Sequence, residues 1–249
     1  MSRSSCSASD NGRVSEILDS VSRQLELAEE SQDGWALAET RRDVLLAHWP
    51  VALGPLARQL PPELVVDTFE GEAWIGVVAC RLEALRLRGL PPLPGLSSGP
   101  QLEVCTYVVV DDRPGVWLFS VDRGKQTLVE AAKRSLRLPA YRATLATAPG
   151  AVDVERDGLA FRARYTTQGE DFAPAPGTLD HFITERYALY TADGGRLYRA
   201  ELNHWPWTLR RARCTVEAAT IAPLLLDGEP HALYAAAQDL LTWPLEELE

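Results

Sequence analysis

The chain has 249 residues, 46% of which are hydrophobic, so it is long enough to bury a substantial core and does not have the composition of a disordered protein. Its 25 Lys and Arg against 35 Asp and Glu give a formal net charge of −10, which disfavours nucleic acid and anionic membrane surfaces as partners. No apolar run approaches the ~18 residues of a membrane-spanning helix, and the N-terminal residues lack the pattern of a signal peptide, so we expect a cytoplasmic protein.

The first 34 residues (1–34) are predicted to form an extension of the main domain, which we expect to occupy residues 35–249. Residues 1–9 are rich in Ser and have the composition of a disordered segment. From residue 14 to residue 28, apolar side chains recur at the spacing of an amphipathic helix. This helix could pack on the domain, remain solvated, or pair with a second copy of the chain, and pairing would make the protein a homo-oligomer.

The sequence of the main domain predicts many short strands and few helices. Turn residues such as Asp157-Gly158 separate runs rich in β-branched and aromatic residues, and Thr178 is predicted to cap a short helix. Many strands at short spacing indicate a barrel or a sandwich. Strands are predicted at residues 64–69, 73–79, 102–110, 116–121, 141–146, 152–156, 159–166, 187–191 and 196–203, with further strands near Val216 and Leu224, and helices at residues 53–60 and 126–136.

The cysteines and histidines do not have the spacing of a metal site. The four cysteines include no CxxC pair, and the four histidines include no HxH or HExxH pattern. A Gly-rich phosphate loop, a GxSxG elbow and a dinucleotide-binding fingerprint are also missing. We therefore expect neither a metal nor a cofactor. The residues concerned are Cys6, Cys80, Cys105, Cys214, His48, His181, His204 and His231.

Four segments of the chain carry a family resemblance. They read HWPV at residues 48–51, LVVDTFEGEAWIGVV at residues 64–78, GLPPLPGL at residues 89–96 and DHFITERY at residues 180–187. In this order they resemble the YqjF-like family of uncharacterised bacterial proteins, a domain of unknown function within the acetoacetate decarboxylase-like superfamily. The resemblance implies an α+β, mostly β fold: a cone-shaped β-barrel with a few short helices, whose cavity holds a small organic acid.

The resemblance also supplies one chemistry that can be tested against the residues. Acetoacetate decarboxylase forms a Schiff base on a lysine that follows a proline, in a Pro-Lys-Lys motif. The matching segment here, residues 139–142, reads Pro-Ala-Tyr-Arg, and the only lysines of the chain, Lys125 and Lys133, precede it. Without an amine at this place there is no imine and no electron sink for loss of a carboxylate. We therefore predict that the chain is not an acetoacetate decarboxylase.

Arginine and tyrosine stand where that superfamily enzyme has its lysines. Arg142 suits a ligand carboxylate because a guanidinium donates two parallel hydrogen bonds, and Tyr141 would be its neighbour in the cavity. Alternatively, Arg142 points outward and pairs with a surface acid. Arg41 and Arg42 lie roughly where the decarboxylase carries an arginine that faces the substrate, and Arg42 is the candidate ligand contact. Alternatively, it is an ordinary surface arginine.

Three aromatic residues complete the set of candidate ligand contacts. Tyr107 shares one face of a predicted strand with Glu103. Tyr187 shares a face with Glu185, which suggests a pair of acid–base or orienting groups; the alternative is a structural ion pair between Glu185 and its neighbour Arg186. Trp207 belongs to an aromatic cluster that could form one wall of a pocket.

Three carboxylates are candidates for catalysis. Glu103 and Asp122 lie on neighbouring predicted strands, where they could form a pair with one raised pKa, and Glu185 is the third candidate. The first hypothesis is a barrel that binds a small organic acid. The second is a lysine-independent lyase or hydratase that uses these carboxylates, and the third is an interaction protein that oligomerises through its N-terminal helix.

Overall fold

The computed structural model describes residues 34–92 and 97–248. The helix predicted at residues 14–28 and half of the 89–96 motif lie outside these residues, so the helix and its role in oligomerisation stay predictions. The strands of the described part are β1 (Leu37–Val51), β2 (Val65–Val66), β3 (Thr68–Phe69), β4 (Glu72–Leu87), β5 (Gly99–Val110), β6 (Arg113–Arg123), β7 (Ala140–Arg142), β8 (Thr144–Ala148), β9 (Ala151–Arg156), β10 (Leu159–Phe172), β11 (Ala188–Asp193), β12 (Arg196–His204), β13 (Leu209–Ala219) and β14 (His231–Glu247); the helices are α1 (Leu53–Ala57), α2 (Gln126–Leu136) and α3 (Leu179–Thr184).

Seven of the strands form a closed barrel in the order β1, β4, β5, β6, β11, β12 and β14. The barrel closes because β14 pairs antiparallel with both β12 and β1. This mostly β architecture with a few short helices confirms the fold class predicted from the sequence. One predicted strand is wrong, since Leu224 lies in the connection between β13 and β14. Among the described residues, no helix has the length and apolar character needed to cross a membrane.

An outer sheet covers part of the barrel wall. Strands β13, β10, β9 and β8 continue from β14, and their side chains pack against the outer faces of β1, β4 and β5. Because successive side chains of a strand point to opposite faces, these wall strands serve two cores. Val78 of β4 points into the barrel, whereas Val77 packs with Phe161 in the core between barrel and outer sheet. Burial on both faces explains why the sequence of β4 is almost continuously apolar.

Helix α2 adds its apolar face to the core inside the barrel. Val129, Ala132 and Leu136, spaced by three and four residues, are buried in that core. The helix ends at Arg137, which adopts a left-handed conformation with φ of 48° two residues before Pro139.

Helix α3 is fixed at its start by side chains. The Thr178 hydroxyl accepts a hydrogen bond from the backbone N–H of His181 at 3.3 Å, which confirms the predicted cap. Asp180 accepts hydrogen bonds from both terminal nitrogens of Arg211, at 2.8 and 2.7 Å, and its Oδ1 lies 2.7 Å from Nε2 of His231. These contacts tie α3 to β13 and β14.

A bulge in β1 decides which of its side chains enter the barrel. Asp43 has a φ of 52°, and the pairing of β1 with β4 shifts its register at this point. Before the bulge, Glu39 and Arg41 face the interior; after it, Val44 and Leu46 do so. The inward positions therefore change from odd to even numbers within one strand.

We predict that Gly76→Ala destabilises the barrel by about 1–3 kcal/mol, the usual cost of overpacking a core. A Cβ at Gly76 would lie 2.5 Å from Nε2 of His48 and 2.8 Å from Sγ of Cys105. Gly99→Ala is the matched control, since its Cβ would meet nothing closer than Leu128 Cδ1 at 3.8 Å. Urea denaturation would measure both variants, and equal stability of the two would contradict the prediction.

Candidate functional site

A cavity of about 210 Å³ lies inside the barrel. Its walls are mainly apolar, with side chains from the barrel strands, from α2 and from the segment after β12; they include Leu46, Val78, Leu118, Leu136, Leu189 and Trp207. Among its described lining residues, Arg86 and Pro91 are exposed, which places the mouth of the cavity beside the end of β4.

One wall of the cavity carries a buried pair of opposite charges. The two terminal nitrogens of Arg41 donate hydrogen bonds to the two carboxylate oxygens of Glu103, both at 2.9 Å. Nε of Arg41 donates to Oε1 of Glu39 at 2.6 Å. Burial lowers the pKa of Arg41, but the two carboxylates outweigh burial and raise that pKa well above its ordinary value. Arg41 is therefore a permanent cation that holds two acids.

Gln101 and Arg123 extend this network along β5 and β6. Gln101 donates to Oε1 of Glu103 at 2.7 Å and accepts a hydrogen bond from Nε of Arg123, also at 2.7 Å. Arg123 also donates through Nη1 to the backbone oxygen of Leu128 at 3.0 Å. Two guanidiniums and two carboxylates (Glu39 being the second) thus meet on one side of the cavity, and their formal charges sum to zero.

A neutral histidine–tyrosine pair lies deeper in the barrel. The hydroxyl of Tyr107, which lines the cavity, donates to the backbone oxygen of Ile183 at 3.2 Å. It also forms a hydrogen bond of 2.6 Å with Nε2 of His48. Burial, with the charge of His231, lowers the pKa of His48 to about 3, and the imidazole is therefore neutral at pH 7.

The structure places Tyr141 and Arg142 outside the cavity. Both residues are exposed on β7, which adds to β6 on the outside of the barrel path. The ring of Tyr141 lies 4.0 Å from the guanidinium carbon of Arg156 rather than against a ligand space. The expectation that these residues anchor a ligand inside the barrel is corrected, because the strand they occupy pairs with the barrel wall without contributing to the cavity lining.

The arginine of β1 that enters the barrel is Arg41, and Arg42 points away from it. Arg42 is exposed and its Nε pairs with Glu83 at 3.3 Å. The Asp43 bulge explains this correction, since counting back by twos from the inward Leu46 would place Arg42 inside.

Glu103 and Asp122 do not form the expected pair, because they point to opposite sides of the barrel wall. Asp122 pairs across the sheet with Leu102, whereas Glu103 pairs with Val121. Asp122 is buried towards the outer sheet, 3.1 Å from Nη1 of Arg156. Burial raises the pKa of Asp122 to about 6, although Arg156 and Ser120 act against this shift.

Glu185 and Tyr187 do not belong to the described lining of the cavity, although their neighbours Thr184 and Arg186 do. Tyr187 is 43% exposed, donates its hydroxyl to Glu185, and stacks on His204 at 4.7 Å between ring centres. The residue between them, Arg186, is buried and lines the cavity. It pairs with Asp67 at 2.5 Å, so the suggested ion pair with Glu185 is replaced by one with a different acid.

Tyr107 and Trp207 do line the cavity, as does Glu103. Trp207 is buried and donates its indole N–H to the backbone oxygen of Thr184 at 3.1 Å. Sequence reasoning did not assign a ligand role to Glu39, Gln101 or Arg123. The available signals were the strand alternation of Glu39 with Arg41 and of Gln101 with Glu103. Arg123 required the register of β5 with β6, which pairs it with Gln101.

Within residues 34–92 and 97–248, no group of three His, Cys, Asp or Glu side chains is arranged to hold a metal ion. The three cysteines of this part of the chain are buried thiols. For Cys105, which lines the cavity, burial raises the pKa to about 12, so its thiol remains protonated at pH 7.

The fold of this chain is similar to that of acetoacetate decarboxylase and related proteins of known structure. Solved structures with this fold include acetoacetate decarboxylase from Legionella pneumophila subsp. pneumophila str. Philadelphia 1, with TM-score 0.63, 11% identity and coverage of 86% of this chain and 87% of that one. An acetoacetate decarboxylase-like enzyme from Sphingomonas wittichii RW1 has TM-score 0.61, 16% identity and coverage of 87% and 94%. The enduracididine biosynthesis enzyme MppR with bound HEPES has TM-score 0.61, 12% identity and coverage of 87% and 89%. At these identities the likeness shows the fold alone.

The chain belongs to the DUF2071 family of uncharacterized conserved proteins, whose family model matches residues 38–239. One relative with clear sequence similarity is the uncharacterized protein YqjF of Bacillus subtilis (strain 168). It is 34% identical over 224 residues, which cover 86% of this chain and 93% of the relative. The family predicted from the four sequence segments is thereby confirmed.

We predict that Arg41→Met destabilises the protein by about 3–5 kcal/mol, the cost of leaving a buried charge without its partner. Glu39 and Glu103 would both lose the cation that they share. Arg42→Met is the matched control, because its exposed pair with Glu83 is worth only about 0–1 kcal/mol. Denaturant unfolding measures both variants, and a larger effect at Arg42 would contradict the assignment of Arg41 to the interior.

We predict that Asp122 makes the fold less stable as the pH rises from 3.8 towards about 6. Its pKa is higher in the folded than in the unfolded chain, so the folded state binds more protons in this range and loses stability as they dissociate. The difference in unfolding free energy between wild type and Asp122→Asn should therefore shift in favour of the variant across this range. A difference independent of pH would refute the raised pKa.

Proposed function

We propose that the barrel binds a small, largely apolar organic acid and does so without imine chemistry. The observation that carries this proposal is the cavity of about 210 Å³ with apolar walls and one polar side. An apolar cavity of about 150 Å³ in another protein is sufficient to bind benzene. The space here suits a molecule of roughly eight non-hydrogen atoms, such as one ring with a short substituent.

The polar side supports a ligand with a single polar end. Glu39, Arg41, Glu103, Gln101 and Arg123 are held by one another, so their hydrogen-bonding groups keep fixed positions before a ligand arrives. A preorganised polar group binds without the entropic cost of ordering it. Among the described hydrogen bonds of Glu39, only Oε1 is engaged, which leaves acceptor capacity for a ligand hydroxyl.

The positions of the lysines support the absence of imine chemistry. Lys125 donates to the backbone oxygen of Ser98 at 2.8 Å, and Lys133 is exposed on α2. Neither belongs to the described lining of the cavity. An amine must face the substrate to form a Schiff base, so the superfamily reaction has no nucleophile at this site.

The ligands of a protein with a similar fold support the proposal of a small acidic ligand. MppR has been solved with pyruvate and with the condensation product of pyruvate and imidazole 4-carboxaldehyde. These are ligands of that protein, and they match this cavity only as a chemical class: small molecules that combine a carboxylate with a carbonyl group or a ring.

A lysine-independent lyase or hydratase is the second candidate function. It is favoured by the two carboxylates, Glu39 and Glu103, which share Arg41 and both line the cavity. Two titratable groups near one bound molecule are the minimum for acid–base catalysis. Incubating a bound compound with wild-type protein and following it by NMR distinguishes the two functions, because only an enzyme would change the spectrum.

We predict that benzoate, hexanoate, phenylpyruvate or acetoacetate raises the melting temperature of the wild-type protein in a saturable way. A ligand that binds only the folded state stabilises it by mass action. Ala131→Phe, which places a ring into the cavity from α2, should abolish the shift. The same substitution at the exposed Ala236 of β14 should leave the shift intact.

Two outcomes would overturn the proposed function. The first is that none of the four compounds shifts the wild-type protein at millimolar concentration. The second is that Ala131→Phe binds a compound as well as wild type does, because binding would then occur outside the cavity.

A further inference from the structure

Arg123 differs from the other buried cations of the cavity in the partners that it has. Arg41 binds Glu39 and Glu103, and Arg186 binds Asp67. Arg123 is only 5% exposed and lines the cavity, yet its hydrogen bonds in the described part of the chain go to neutral groups, the side chain of Gln101 and the backbone oxygen of Leu128. No acid within residues 34–92 and 97–248 forms an ion pair with it.

The geometry of the network keeps the acids at a distance from Arg123. Gln101 stands between Arg123 and Glu103, with a hydrogen bond of 2.7 Å on each side. Burial lowers the pKa of Arg123, and the more remote charges of Glu39 and Glu103 offset this only in part. A buried guanidinium in such surroundings gains from a carboxylate in direct contact.

The guanidinium of Arg123 also has N–H groups that none of the hydrogen bonds described for it uses. It carries five N–H groups, and the two hydrogen bonds described for it use one on Nε and one on Nη1. A carboxylate accepts two parallel hydrogen bonds from one edge of a guanidinium, and this arrangement is about twice as strong as hydrogen bonds between neutral groups. The remaining donors of Arg123 therefore match the requirements of one carboxylate.

We propose that Arg123 anchors the ligand through its carboxylate, and that the ligand is a monocarboxylate whose apolar body fills the rest of the barrel. This inference rests on the proposed function and refines it. Among the described residues of the polar side, Arg123 is the one cation without an acidic partner, so this side matches one negative charge rather than two. The walls beyond it are apolar, so the rest of the ligand is an alkyl chain or a small ring of roughly five or six carbon atoms.

A matched control variant lies on the neighbouring strand. Arg123 of β6 pairs in register with Arg142 of β7, so the two arginines are adjacent in space and identical in charge. Arg123 is buried and lines the cavity, whereas Arg142 is exposed outside it. Replacing either with Gln removes one positive charge at nearly the same place, and only one of the replacements alters the cavity.

The experiment is calorimetric titration of wild type, Arg123→Gln and Arg142→Gln with hexanoate, hexanamide and hexylamine. Wild type should bind hexanoate more tightly than hexanamide. Arg123→Gln should lose about 10- to 100-fold in hexanoate affinity, the worth of a hydrogen bond to a charged group, while its hexanamide affinity changes little. Arg142→Gln should bind all three compounds as wild type does. Arg123→Lys, which keeps the charge but not the two-pronged geometry, should be intermediate and serves if Arg123→Gln fails to fold.

The outcomes separate this inference from the proposed function. If wild type binds none of the three compounds, and none of the acids used in the melting experiment, the proposed function itself fails. If wild type binds hexanoate and Arg123→Gln or Arg123→Lys binds it equally well, the cavity is a ligand site but Arg123 is not its anchor. Preference of wild type for hexylamine would also overturn the inference, because it would assign the ligand contact to Glu39 or Glu103.

Discussion

The pairing of β14 with two strands at once is the constraint on which the rest of the structure depends. Its residues bond to β12 along one edge and to β1 along the other, and this double pairing turns an open sheet into a barrel. An open sheet would expose the inward side chains of β1, β4 and β5 to water. In the closed barrel the same side chains surround a space that α2 and α3 help to seal, so the cavity and its charged side exist only because the ring is complete.

Closure makes charges inside the barrel costly, and the Asp43 bulge determines which charges these are. One extra residue in β1 moves Arg41 inward and Arg42 outward. The buried cation then requires acids; Glu39 supplies one from the same strand, and Glu103 supplies the other from β5, which is separated from β1 only by β4. The polar side of the cavity is therefore a consequence of backbone geometry as much as of the residue types present.

The family and the fold class could be predicted from short motifs, because the segments around β4 and α3 (residues 64–78 and 180–187) can be recognised from their sequence without knowledge of the tertiary structure. Strand β14 was not predicted, since its run of Ala, Leu and Gln residues favours a helix and only tertiary pairing makes it a strand.

The residues of the site were harder to predict, because their orientation also depends on tertiary pairing. Arg42 was chosen from its match to an arginine of the decarboxylase, and the bulge at Asp43 turns Arg41 inward instead. Strand alternation assigns faces correctly only between register shifts, so Asp122 was placed beside Glu103 although it faces the outer sheet. Arg142 was chosen because of a motif position, and its strand lies outside the barrel path.

The outer sheet gives the protein a second hydrophobic core, which is filled with side chains, whereas the core inside the barrel contains a cavity. Strands β1, β4 and β5 pack on one face against β9, β10 and β13, and this core is filled with side chains such as Phe161. The barrel interior contains empty space, which contributes no packing energy. Because the wall also packs against the outer sheet, its stability depends only in part on the apolar side chains that border the empty space, such as Leu118 and Val78. Exchanging these side chains would change the shape of the cavity, and with it the ligand that fits, while the packing on the outer face of the wall stays the same.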